Sequence, residues 1–371
     1  MWLRLESRGR RSPLWTYGSP ILALLLTVVT AGLIFAVLGR NPGQALYTFL
    51  VAPLVSPSGL PELFVKAAPL ILIGVGLSLG FRANVWNIGA EGQFILGAIF
   101  GGGLALHVGE GGGWWLFPAM VLLGVLGGMA WAAIPALLKT CFNANEILTS
   151  LMLTYVAQLL LLYLVTGPWK DPEGYGFPQT AMFADSALVP ILISGTRLHL
   201  GVVFALAAAL GGWLILSKSL LGFQLRVFGL APRAARFAGF SENGLTWISL
   251  LLGGGLAGLA GLCEVAGPIG QLSPSISPGY GFTAIIVAFL GRLHPLGVVL
   301  AGLVLALSYL GGETAQIELG LPNAVTGIFQ GILLFFLLAC DVLILYRLRI
   351  GSRSISTGAA SRAAAQGEAA Q

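Results

Sequence analysis

The chain has 371 residues, 57% of them hydrophobic and only 9% charged, with a mean hydropathy of +0.90. An ordinary soluble domain carries about 25% charged residues, so this composition excludes one. The formal charge of +5 is not a nucleic-acid signal, because the basic residues are distributed as membrane topology requires.

In chain order, a basic N-terminus at 1–19 is followed by ten apolar spans, at roughly 20–38, 62–80, 92–108, 114–138, 146–167, 198–217, 245–267, 281–291, 295–310 and 322–346, each judged by the length needed to cross a bilayer. The alternating ten-residue pattern of a membrane β-barrel is absent. The first span follows a basic segment, as a signal peptide would. It is long for one and lacks a small-x-small cleavage site, so it reads as an uncleaved anchor. The eighth span is too short to cross about 30 Å at 1.5 Å per residue. It reads as a half-helix, tolerated only where protein or a cavity covers its backbone.

Orientation follows from the basic residues. With the N-terminus inside, the cytoplasmic segments hold fifteen of the nineteen lysines and arginines, and the outside holds Arg40, Lys170 and Arg197; Lys66 falls within a span. Both termini are therefore cytoplasmic. The 168–197 loop lies outside and the 218–244 loop inside. The stretch 347–371, rich in Ala, Ser, Gly and Gln, reads as a disordered cytoplasmic tail. The fold class is thus an all-α polytopic membrane protein of about ten transmembrane helices, N-in and C-in. The transmembrane domain is 20–346. Two Gly-rich, interrupted stretches, "NVWNIGAEGQFILGAIFGGG" and "SPGYGFTAIIVAFLGRLHPLG", give the two halves a faint echo of each other, as in inverted repeats with broken helices.

Three small-x-x-x-small motifs, Gly97/Gly101, Gly124/Gly128 and Gly254/Gly258, put small residues on one helix face, where backbones can approach closely. That pattern serves tight packing or sliding equally well. Polar residues in apolar surroundings are more informative. Asn84, Trp86, Asn87, Glu91 and Gln93 lead into the third span. Asn and Gln offer donors and acceptors, and Trp a stacking face, which suits a neutral hydroxylated or heterocyclic solute. The competing reading is a helix start capped by Asn87, with Glu91 satisfying free N–H groups. Asn145 and Glu146 open the fifth span and read first as a cap and a dipole partner. Glu264 and Gln271 frame the outer end of the seventh span, where they could line an external mouth. No nucleophile, metal-ligand or nucleotide-binding motif occurs in its required context, so no catalytic residue and no metal ligand is assigned.

The 218–244 loop contains "GLAPRAARFAGFSENG". Pro232 suits a first helical position, Gly239 a position just past a helix end, and Ala234, Ala235 and Ala238 are small helix formers. Arg233 and Arg236 are three apart and share a face. Such a two-turn helix is marginal alone in water, so it must pack on this protein or on a partner. The bland alternative is a basic loop that only enforces topology.

This segment resembles the G-x-x-x-x-A-A-x-x-x-G-I coupling segment of the permease subunits of ABC importers of the ribose/branched-chain amino acid class. "NVWNIGAEGQFILGA", "NANEILTSLMLTY" and "GYGFTAIIVAFLGRLHPLG" are similar to the simple-sugar and nucleoside branch, over residues 62–346. Phe240 stands where that pattern has Ile or Val. The resemblance implies a subunit that moves a nucleoside, or alternatively a simple sugar, without an ATPase of its own. It implies a cytoplasmic ABC ATPase that binds ATP and magnesium, a second permease subunit, usually different but in some systems identical, and an external solute-binding lipoprotein. It places Gly229 and Pro232 to Gly239 at the ATPase contact. An ion-coupled secondary transporter is the competing class, and the scarcity of intramembrane carboxylates counts against it.

Overall fold

The structure is a computed structural model that describes residues 2–7, 13–322 and 324–351, with side chains from Gly18 to Ile344 apart from position 323. The helices are α1 Pro13–Val37, α2 Pro42–Leu50, α3 Ala52–Val55, α4 Gly59–Arg82, α5 Ala90–Val108, α6 Leu116–Phe142, α7 Glu146–Thr166, α8 Gly201–Lys218, α9 Leu220–Leu230, α10 Pro232–Phe237, α11 Glu242–Glu264, α12 Tyr280–Leu290, α13 Pro295–Leu319 and α14 Ala324–Leu345. Among the described residues, nine of these are long and apolar enough to cross a membrane. The remaining expected span, the eighth, is α12, whose 11 residues rise about 16 Å at 1.5 Å each, half a hydrocarbon layer. Eight of its 11 residues are buried, which is the shelter a half-helix requires.

The chain divides into two compact units, 31–330 and a terminal unit made of 1–30 with 331–371. In the terminal unit, β1 Trp2–Ser7 pairs antiparallel with β2 Tyr346–Gly351. The two ends of the described chain thus lie side by side. Apart from this one short pair the described chain is helical, as expected; the pair corrects the start of the 347–371 tail, which continues as a strand to Gly351, and alternating Leu3/Leu5 and Leu348/Ile350 supply the period of two that strands need. The remainder of that stretch lies outside the described residues, as do 8–12 in the basic N-terminus.

In the larger unit the three glycine motifs converge on one seam. A Cβ on Gly97 would stand 2.2 Å from the Cα of Gly258, one on Gly128 would stand 2.1 Å from the Gly254 carbonyl, and one on Gly258 would stand 2.3 Å from the Gly124 carbonyl. Helices α5, α6 and α11 therefore touch backbone to backbone, the contact small residues permit in membranes. The sequence carries no expectation for 39–58, where α2 is capped by Asn41 accepting from Gly43 and Gln44 at 3.0 and 3.4 Å. Its buried Phe49 packs with Phe35 and Phe329.

The 168–197 loop is strapped to the segment after α11. Thr180 N donates to Leu272 O at 3.0 Å, Phe183 N to Gly270 O at 2.8 Å and Val189 N to Ala266 O at 2.8 Å. The segment Val265–Ile269 is a π-turn. Beside it His199 is buried, its Nδ1 accepting from Gly201 N at 3.1 Å. Burial, helped by the Arg197 charge, lowers its pKa to about 4, below the ordinary value of about 6.5. The unfolded chain therefore binds the extra proton between those values, and stability must fall as pH drops from 6.5 towards 4. Detergent-solubilised protein should lose thermal stability across that window, and His199→Gln should flatten the slope. An identical slope in the variant would assign the loss to other groups.

Candidate functional site

Two regions hold most of the polar residues singled out by the sequence. The first is the break between α4 and α5. Asn84 sits in the left-handed region at φ 58° and accepts the Trp86 indole N–H at 2.9 Å. The Trp86 ring lies 5.0 Å from Phe81 and 6.0 Å from Phe289, and these two stack at 5.4 Å. Asn87 is not the helix cap. Gly89 occupies that position without a side-chain bond, because a buried carboxamide is better satisfied by a second one. Asn87 Nδ2 donates to Gln93 Oε1 at 2.8 Å, Gln93 Nε2 donates back to Asn87 Oδ1 at 3.1 Å, and Asn87 Oδ1 also accepts from Gly89 N at 3.1 Å. Both side chains are buried.

Glu91 does not serve its own helix alone. Its carboxylate accepts the Gly281 amide at 2.6 Å, so it lies in the first turn of α5 and against the first turn of α12. Two positive helix ends thus face one buried carboxylate. Gly281 is needed there: a Cβ would lie 2.3 Å from Glu91 N and 2.5 Å from its Cα. The two interrupted stretches of sequence meet at this point.

From α12 the polar chain runs outward through residues that hydropathy alone passes over. Tyr280 Oη donates to Glu264 at 3.4 Å. Thr283 Oγ1 lies 2.8 Å from Tyr309 Oη and donates to Gln330 Oε1 at 3.0 Å, and Gln330 Nε2 donates to Ser308 Oγ at 3.3 Å. All are buried. Five helices, α5 and α11 to α14, contribute to this centre. The missed signal is a hydroxyl or amide at one position of each apolar helix, inconspicuous until the helices are assembled. Glu264 belongs to this group, whereas Gln271 lies in the external strap, donating to Gln179 Oε1 at 3.3 Å. Asn145 and Glu146 stand apart from both. Asn145 caps α7, accepting from Ile147 at 2.9 Å and Leu148 at 3.4 Å, and Glu146 pairs with Lys139.

The reciprocal Asn87–Gln93 bonds make a testable unit. Removing either side chain leaves a buried carboxamide unsatisfied, so Asn87→Ala and Gln93→Ala should each destabilise the protein and the double variant should cost no more than one of them. Thermal unfolding of the three variants reads this directly; simple additivity would show the pair to be uncoupled.

The second region is the 218–244 loop. Pro232 is the first residue of α10, Ala238 its C-cap, and Gly239 follows at φ +79°. The helix has six residues and is held by Ala235, which is buried in a cluster with Phe228, Leu225 and Leu245. Pro232, Arg233, Ala234, Arg236 and Ala238 are exposed. Arg236 pairs with Glu242 at 2.8 Å, and among the described residues Arg233 has no acidic partner. The sequence reading missed the most exposed apolar groups, Phe237 at 93% and Leu230 at 74%. Gly229 is not on this face; it packs inward, where a Cβ would stand 1.9 Å from the Arg82 carbonyl.

Residues 59–338 match the family described as branched-chain amino acid transport system / permease component. The glucose ABC transporter permease protein TsgB13 of Haloferax volcanii is 38% identical, with 94% of each chain covered. The guanosine ABC transporter permease protein NupP of Bacillus subtilis is 31% identical over 85% of this chain and 91% of its own. A second guanosine permease protein of that organism, NupQ, is 29% identical over 66% of this chain and 78% of its own.

Proposed function

This chain belongs to the branched-chain amino acid transport system / permease component family, and from that premise we propose how its two polar regions are used and what it carries. It is a multi-pass permease subunit of an ABC importer in the cytoplasmic membrane, a conduit rather than an enzyme. ATP and magnesium are bound by a separate cytoplasmic ATPase, and α10 is the surface on which that ATPase docks, with no cofactor on this chain. The observation that carries the docking is a short helix pinned by one buried alanine, its Phe237 and Arg233 turned outward. An amphipathic knob of this kind suits a groove with acidic walls. Because α10 is compact and packed, a displacement of it moves as a unit.

The solute is a nucleoside, delivered from outside by a solute-binding lipoprotein. Asn84, Asn87, Gln93, Glu91 and Glu264 lie on the proposed route, with Gln271 at its external end and Asn145 and Glu146 supporting it from α7. In the conformation described, Asn87 and Gln93 are turned onto each other, so solute contact requires that pair to open. A simple sugar is the second reading, favoured by the 38% identity to a glucose permease protein. A second permease subunit completes the pathway, as an unlike chain: two different guanosine permease proteins of one organism both align here.

Uptake of labelled guanosine into vesicles holding this chain, its ATPase, the second permease and the binding protein tests the assignment. Competition by nucleosides and not by glucose supports the nucleoside; the reverse pattern replaces it with the sugar. Uptake that persists without the ATPase would overturn the ATP-driven reading in favour of ion coupling.

A further inference from the structure

The cytoplasmic face carries an unusual corner between α12 and α13. Arg292 and Leu293 both adopt left-handed backbone, at φ 58° and 53°. A non-glycine residue is strained in that region, so two in succession persist only if neighbours hold them. The corner has no slack, since a Cβ on Gly291 would stand 2.5 Å from Val298 N and one on Gly297 would stand 2.3 Å from the Gly291 carbonyl.

One side chain reaches this corner from another element. Arg82, the last residue of α4, donates its Nε to the Leu293 carbonyl at 2.8 Å. The same residue receives the contact loop from the other side, because α9 rests on its carbonyl through Gly229. The last turn of α4 and the last turn of α12 are further joined by the Phe81–Phe289 stack, with Trp86 against both. At its opposite end α12 holds Glu91 through Gly281. A short, buried helix is a stiff strut, so its two ends must move together.

We infer that Arg82 is a positioning residue that couples the α9–α10 contact loop to the α12–α13 corner, and through the α12 strut to Glu91 and the Asn87–Gln93 pair. Displacement of α10 carries α9 with it; Gly229 bears on the Arg82 backbone; the guanidinium pulls on a corner that already stores strain. Packed elements with two discrete arrangements convert small shifts into switches, and releasing two left-handed residues supplies a reason for a second arrangement. The inference rests on the docking role proposed for α10, whereas the geometry from Gly229 to Glu91 stands without it.

The experiment uses the assembled transporter with its ATPase, second permease and binding protein, and reads three quantities: ATPase retained in a pull-down, ATP hydrolysed, and guanosine taken up per ATP. Arg82→Gln should keep the ATPase bound and hydrolysing while uptake per ATP falls at least tenfold, and Arg82→Lys, which keeps a single charged donor, should recover part of it. Leu293→Gly removes the strain without touching Arg82 and should lower uptake per ATP with association intact. This second variant decides the matter if Arg82→Gln does not fold. Unchanged uptake per ATP in Arg82→Gln or in Leu293→Gly overturns the coupling role, and so does loss of ATPase association in Arg82→Gln, which would make Arg82 a support for the docking surface. If instead Phe237→Asp leaves association intact, the docking reading fails, and the same pull-down shows it separately.

Discussion

Replacing Phe237 by aspartate should abolish ATP-driven uptake while leaving insertion and folding intact. The side chain is 93% exposed, so the substitution removes nothing from the protein's own core. An aromatic anchor at the centre of an interface is worth about 2 kcal/mol or more, so ATPase affinity should drop about thirtyfold. Arg233→Ala should act on the same contact in a different way, weakening association at low salt with the difference closing as salt rises, because exposed charges are screened. Ala235 is a poorer probe: it is buried among Phe228, Leu225 and Leu245, so a bulky charge there would unseat α10 as well as change the docking face. Pull-down of the ATPase with purified Phe237→Asp is the measurement, and wild-type association would remove α10 from the contact.

The second large effect is expected at Gly281. Alanine there places a methyl 2.3 Å from Glu91 N and 2.9 Å from the Ala90 carbonyl carbon. These are backbone atoms that no side-chain rotation can clear, and overpacking of this kind costs about 1–3 kcal/mol. The methyl also forces α12 away from α5 and lengthens the bond between the Gly281 amide and the Glu91 carboxylate. Uptake should fall by about tenfold or more, even where the protein still accumulates in the membrane. Glu91→Gln separates the two contributions, since it retains an acceptor for Gly281 N but loses the charge facing two helix ends. If Gly281→Ala transports normally, the α5–α12 contact is not part of the working cycle.

Much of the architecture was legible because a membrane simplifies the problem. Span length, basic-residue placement and the shortness of 281–291 are one-dimensional signals, and α12 with its 11 residues follows from them. The cap at Asn145 and the left-handed Gly239 were legible for the same reason, being local. Glu91 was not, because its partner lies 190 residues away. Nor was the Asn87–Gln93 pair, since nothing in a six-residue spacing says that two carboxamides will close on each other across a non-helical turn. Tyr280, Thr283, Tyr309 and Gln330 each look like an ordinary apolar-helix residue until three helices, α12 to α14, bring them together. Phe237 escaped because a phenylalanine in a greasy chain is assumed to be inside, and only the fold shows it pointing away.

The glycine seam has a mechanical consequence. Where α5, α6 and α11 touch backbone to backbone at Gly97, Gly128 and Gly258, little side-chain freedom is left to absorb a shear. These three helices form a chassis, and any alternation between outward and inward access has to be hinged at its margins rather than distributed through the bundle.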